Sequence, residues 1–501
     1  MDKSTEGESK ADNKPSPADF ALYLPWACKQ VQLESDVQVN KVYQSKFLHD
    51  TFGPPTYHQV TRLICIPTDE YVSVAMTDRS KKAKPKGKIG PSRMDVATEE
   101  KEEPSSTGMV MNKMYDRPAS KIIQVEAIYD LQENLVHIKF ERNSQLPRVM
   151  IKIVGLIMKF QTHLNTITIH GGLNQYIIYE ICKFLPTTHI TELCLDDCYL
   201  KEANYELLLE HENFLKYLSL CRCKIDDMTV EMLCSKLIYP MPASKTLSVL
   251  NLSSNRITDE GAKFLAHVLR SNRQLSYLNL ASNMITDKGA AEIFNTLMIF
   301  PLTTEEVLTS KTRYMKYLKV KNEMVSSTIR DLRLGDIDKK SAKRKSIRTP
   351  TVALKKEKPN ISQKSLIETI RLGEVDSVLV EKAISIVESA IGEFVDPYSN
   401  SNTTIRNGMK HCRGNNSLCC LNISYNYLSY LSLKKIQSVL LYQKYDDRIP
   451  RGLLSVSVEG NCVPIACKEL SQIDDILGMN LLAQTRKLSA SKKRPHAKLI
   501  R

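Results

Sequence analysis

No stretch of this 501-residue chain stays apolar over the roughly 20 residues needed to cross a bilayer. The longest apolar run, near 149–160, is interrupted by Lys152 and Lys159 and reads as a core helix. The first residues, MDKSTEGESKADNKPSPAD, carry charge where a signal peptide carries an apolar core, which predicts a chain not secreted by that route. Cysteine is present thirteen times but without paired spacing, so reduced thiols in the cytoplasm are expected and a disulfide framework is not. The catalytic phrases GxxxxGK[ST], GxSxG and HExxH are missing, and KGKIGPS at 86–92 follows no strand pattern, so it is no phosphate cradle. The expectation is a non-enzyme, with no catalytic residue, cofactor or metal, and no membrane or small-molecule substrate.

What the chain has is a sentence said twice. LSVLNLSSNRITDEGAKFLAHVL from Leu247 is followed by LSYLNLASNMITDKGAAEIFNTL from Leu275, with Leu250 answering to Leu278 and Asn255 to Asn283, each 28 residues on. The phrase LxxLxLxxNxI followed by an amphipathic segment gives a strand, a bend and a helix, the unit of leucine-rich repeats. One such unit cannot bury its own apolar face, so neighbours must exist. They are legible upstream at Leu215, Ile190, Leu164 and Leu135, and downstream at Leu418 and Leu453. The fold class expected is α/β: a solenoid, or horseshoe, of about eight strand–helix repeats on a parallel sheet, with a capping N-terminal segment and a helical or disordered insertion.

Composition divides the rest. Residues 1–19 read as disordered, 20–76 as an N-terminal docking segment anchored by Trp26, Tyr23, Phe47, Phe52 and Tyr57, and 77–118 as a disordered linker. Residues 119–160 form the cap and first repeat, 161–302 further repeats, 303–411 the insertion, 412–480 the last repeats and 481–501 a basic tail. Within the insertion a helix runs into KKSAKRKSIRTPTVALKKEKP, where nine of the twenty residues 339–358 are Lys or Arg and an extended, mobile chain is expected. A second helix, 378–394, is expected to pack back on the solenoid.

The strand positions between the leucines put Glu192, Lys216, Tyr217, Asn251, Tyr277, Asn279, Asn422 and Tyr425 on the concave face, where tyrosines among small polar residues suit a protein partner. The net charge of +14 favours acidic partners, with Lys343, Arg344, Lys345, Lys492, Lys493 and Arg494 as contacts. Nucleic acid fits less well, since the basic runs lack interleaved aromatics. Cys194, Cys198, Cys221 and Cys223 lie in adjacent repeats, yet Cys198 and Cys223 stand where Asn is usual and read as buried space-filling rather than zinc ligands. The pairs Asp196-Asp197 and Asp226-Asp227 read as caps or solvated groups, and His137 and His170 as single surface or satisfied residues.

The quoted phrases resemble the ribonuclease-inhibitor-like class of leucine-rich repeats. Their order over about 120–480 further resembles an axonemal family of that class: IIQVEAIYDLQENLVHIKF, KYLSLCRCKIDD, the NxITDxGA pair, a charged insertion, SLCCLNISYNYL and GLLSVSVEGNC. The resemblance implies a scaffold of motile cilia and sperm flagella whose partners are other axonemal proteins and tubulin, located in the cytoplasm on the cytoskeleton. The alternative is a regulatory repeat protein acting on a small GTPase or an actin-type partner.

Overall fold

The computed structural model describes residues 14–43, 122–142, 145–344, 364–446, 448, 450–464 and 466–492. In chain order, α1 (Phe20–Gln30) and β1 (Asp36–Tyr43) precede the antiparallel pair β2 (Ile122–Tyr129) and β3 (Leu135–Phe140). Then come α2 (Arg148–Ile157), β4 (Thr166–Ile169), α3 (Gln175–Phe184) and β5 (Glu192–Cys194). After β5 a 3-10 segment, Asn204–Leu209, takes the place of a helix. The regular core continues as β6 (Tyr217–Ser219), α4 (Asp227–Leu237), β7 (Val249–Asn251), α5 (Asp259–Ser271), β8 (Tyr277–Asn279) and α6 (Asp287–Thr296). The insertion holds β9 (Phe300–Pro301), α7 (Thr304–Arg344), α8 (Lys364–Ile391), β10 (Thr403–Arg406) and β11 (Met409–Cys412). The last repeats are β12 (Cys420–Asn422), α9 (Tyr430–Asp446), β13 (Ser455–Ser457) and α10 (Lys468–Lys492).

Ten strands make one sheet in the order β1-β2-β3-β4-β5-β6-β7-β8-β12-β13, parallel except between β2 and β3. The eight repeat phrases occupy eight consecutive places in it. Leu278 pairs with Leu421 across β8 and β12 in the same register in which Leu250 pairs with Leu278, so the sheet crosses the insertion without a step. Leu193, Leu218, Leu250, Leu278 and Leu421 are the central strand residues, and all turn into one shared core with Ile293, Phe294 and Leu440 of the helices. Of residues 20–76 the structure describes 20–43: α1 packs against α2, and β1 extends the sheet beside β2. Phe47, Phe52 and Tyr57 lie outside the described residues.

The repeats are stitched by amides. Asn283 Nδ2 donates to the carbonyls of Leu252, Leu280 and Ala281 while its Oδ1 accepts from Ile257 N–H, joining its own bend to the repeat before. Asn255, Asn426 and Asn461 do the same one position along the stack. Where cysteine replaces Asn, one S–H takes the amide's place: Cys198 Sγ donates within reach of Ile169 O and Asp196 O, and Cys223 Sγ within reach of Leu195 O and Cys221 O. A second ladder runs on the helix side. Asp259 accepts from Thr286 N–H, Thr286 Oγ1 and Gly289 N–H, and Asp227 makes the equivalent bonds to Thr258 and Gly261. A Cβ at position 289 would sit 2.8 Å from Asp259 Cα, so the glycine of the T-D-x-G phrase is a spacing requirement.

Residues 299–413 form a separate compact unit. Its two helices pair with each other, Lys321 Nζ meeting Glu388 Oε1 at 2.8 Å, and Tyr314 and Tyr317 of α7 pack on Phe394 just beyond the end of α8. At their base the buried carboxylate of Asp396 takes Arg313 Nε at 2.6 Å, Ser310 Oγ and Tyr398 N–H. The chain expected to become extended at Lys339 instead continues as helix to Arg344, and α8 begins at Lys364, well before 378. Lysine and arginine are good helix formers, so the run of like charge does not stop α7.

Candidate protein-binding site

The face of the sheet opposite the helices carries two rows in register. One passes through Thr166, Glu192, Tyr217, Val249, Tyr277 and Cys420, the other through Thr168, Cys194, Ser219, Asn251, Asn279 and Asn422. Glu192, Tyr217, Asn251, Tyr277, Asn279 and Asn422 lie in these rows, but most of them are closed to solvent. Tyr217 is 1% exposed and Glu192 2%, and Asn251, Asn279 and Tyr277 are buried as well. Tyr217 and Tyr277 form an apolar cluster with Val249, Cys419, Cys420 and Leu454, with Cys194 packed against it. The amides also have work of their own: Asn251, Asn279 and Asn422 accept from Ser253, Ala281 and Ser424 N–H, holding the turn after each strand. Lys216 is exposed and Asn422 half-buried. Tyr425 is not on the strand at all; it follows β12 in the turn, at φ +55°. Strand alternation says which face a side chain takes, not how much solvent reaches it, and here the tyrosines pack on Val249, Cys420 and Leu454.

Burial sets the electrostatics of this face. It pushes the Glu192 carboxyl up to about 7, only partly offset by Thr166. The same cause holds His137, hydrogen-bonded to Thr168 Oγ1 at 3.0 Å, down at about 4, a neutral ring at physiological pH. Burial also pushes the thiols of Cys198 and Cys420 up to about 12, so they are weak nucleophiles. Among the described residues no group of three His, Cys, Asp or Glu is placed to hold a metal. Asp226 caps α4 through Thr229 N–H, whereas Asp196 accepts from Ser219 Oγ and Cys221 N–H.

The open surface lies at the turns that follow the strands. Five of them place a residue in left-handed backbone at the same point: Asp197, Arg222, Ser254, Ser282 and Tyr425, with φ between +55° and +60°. Each donates its N–H to the next repeat, to Cys221, Ser253, Ala281, Ser424 and Glu459 carbonyls in turn, so the turns form a continuous edge. Two residues on, Tyr199, Lys224, Arg256, Met284 and Tyr427 make a second exposed row along it. Asp197 is clamped by Arg222 at 2.6 Å and by Arg142 at 2.9 Å, which holds its carboxyl below the usual range. Lys224 sits 4.9 Å from the Tyr199 ring. Apart from Tyr425, these residues fall outside both the strand and helix patterns; the positions flanking the Asn of each phrase are the signal that marks them.

The Leucine Rich repeat family matches residues 243–266 and 271–294, the span of the two most regular repeats. Those residues stand in the observed sheet with the leucines inward and the Asn ladder intact. The fold is a leucine-rich-repeat solenoid. An internalin from Listeria monocytogenes is similar over 70% of this chain and 69% of its own at 12% identity, with a TM-score of 0.29. No curated protein matches. Of the cations outside the solenoid's regular part, Lys343 and Arg344 end α7 and Lys492 ends α10, while Lys345, Lys493 and Arg494 lie outside the described residues.

Proposed function

We propose that this leucine-rich-repeat protein is a non-enzymatic scaffold subunit of the motile ciliary or flagellar axoneme, binding other axonemal proteins through its solenoid and acidic partners such as tubulin tails through its basic segments. Solenoids present long surfaces built from repeated small units, a form suited to holding other proteins. The observation that carries the acidic-partner reading is charge. The net +14 includes nine cations within twenty residues at 339–358 and three more in succession at Lys492, Lys493 and Arg494. Such clusters attract anionic surfaces over about a Debye length, roughly 8–10 Å at physiological salt. The resemblance in the order of phrases supplies the axonemal setting.

The test is extraction of axonemes isolated from ciliated cells expressing the tagged full chain. It is expected to stay with the axoneme through mild detergent and to leave over a rising sodium chloride series, as exposed ion contacts are screened. Release by detergent alone contradicts the reading.

A further inference from the structure

We propose that the edge formed by the turns after the strands, rather than the sheet face, is the docking surface of the solenoid, and that it takes an extended protein segment with carboxylates at one end and large apolar side chains at the other. The inference rests on the protein-binding reading above and gives it a location.

Three observations meet at this edge. It is open where the sheet face is closed: Tyr425 and Tyr427 are each 63% exposed and Met284 40%, against 1% for Tyr217. Exposed tyrosine and methionine offer large contact area, tyrosine at small entropy cost and methionine with an adaptable shape. Next, the charged residues of the second row, Lys224 and Arg256, are both cations. Arg222 is already answered by Asp197, whereas Lys224 and Arg256 are exposed and have no carboxylate within salt-bridge distance among the described residues. Glu459 lies at the far end of the edge, after β13, where it accepts from Ser424 Oγ. Finally, the edge is rigid. Backbone bonds join each turn to the next, and Gly460, at φ +71°, leaves room for the Tyr425 ring, which would lie 2.3 Å from any Cβ there. A surface already held in shape loses little entropy when occupied.

The dimensions choose the occupant. From Tyr199 to Tyr427 the edge crosses four strand spacings of ~4.8 Å, about 19 Å, which an extended chain at ~3.3 Å per residue covers with about six residues. Cations fill the middle, at Lys224 and Arg256, and Met284 and Tyr427 the far end. A segment with two or three carboxylates followed by aliphatic or aromatic residues matches that order. A nucleic-acid strand matches it less well, because two uncompensated cations are few against a phosphate at every nucleotide.

The probe is a fluorescein-labelled octapeptide of four glutamates followed by two leucines and two phenylalanines, titrated with the full chain at 0.15 M salt and read by anisotropy. We expect Lys224→Glu combined with Arg256→Glu to weaken binding roughly tenfold or more, and Tyr427→Ala about fivefold. All three residues are exposed, and unchanged thermal unfolding verifies that the variants fold. The triple change Lys343→Glu, Arg344→Glu, Lys345→Glu is expected to leave the apolar half of the affinity, measured against an all-glutamate octapeptide, unchanged. Wild-type affinity in the edge variants overturns the inference. Loss in the Lys343 triple alone also overturns it, while leaving the acidic-partner reading of the basic segments standing. Equal competition by a single-stranded oligothymidine lost in the same edge variants overturns the protein-segment assignment.

Discussion

Asn283→Ala is expected to lower the unfolding free energy by about 3–5 kcal/mol, a large part of the 5–15 kcal/mol that holds a typical domain together. The side chain is buried and satisfies four backbone groups of two repeats at once: the carbonyls of Leu252, Leu280 and Ala281 and the N–H of Ile257. Alanine takes no water to those groups and leaves a void beside them, so desolvated donors and acceptors go unmade. Leu252 O keeps its bond from Asn255, which caps the loss. Asn283→Cys should be milder, about 1–3 kcal/mol, because the thiols of Cys198 and Cys223 already donate to carbonyls from the equivalent place. Urea unfolding followed by circular dichroism measures both. A loss below about 1 kcal/mol for the alanine variant would mean that the bend does not depend on the amide.

The second large effect is a pH dependence centred on one carboxyl. Glu192 is raised from 4.5 to about 7 by burial, so the folded state favours its protonated form. Its contribution to stability is therefore fully present below about pH 4.5, falls as pH rises through about 7, and is absent above that. The rise corresponds to about 3 kcal/mol between the two limits. Other carboxylates work the opposite way: Asp197, Asp226 and Asp287 are held low by their partners and favour the fold as pH rises above their folded range. The difference between wild type and Glu192→Gln isolates the one group. The glutamine variant should be more stable than wild type by about 3 kcal/mol at pH 8, with the gap closing toward pH 5. A gap independent of pH would show that Glu192 titrates normally.

Much of this molecule was legible because a repeat states its own rules several times. The 28-residue period located Leu250, Leu278 and their counterparts, and the same phrase at Leu418 showed where the insertion ends. Other features were hidden for physical reasons. From sequence either Thr258 or Asp259 can cap the helix; Thr258 holds that place, and Asp259 reaches into the following repeat, a contact that only stacking creates. Tyr217 and Tyr277 were on the expected face, but burial depends on neighbouring strands, which alternation within one strand does not report. Tyr425 was assigned to a strand because the repeat phrase continues through it, although β12 ends three residues earlier and left-handed backbone turns the ring outward.

The account depends on the edge being continuous, which requires β8 and β12 to be neighbours despite 140 intervening residues between Asn279 and Cys420. Native-state hydrogen exchange of the full chain measures this directly through the amides of Leu280 and Ile423, whose N–H groups donate to Asn422 O and Ser457 O. Both should exchange slowly and lose protection together with Leu252, whose N–H donates to Asn279 O, as denaturant is raised. Fast exchange at Leu280 with slow exchange at Leu252 would show that the sheet ends at β8, and would contradict the account.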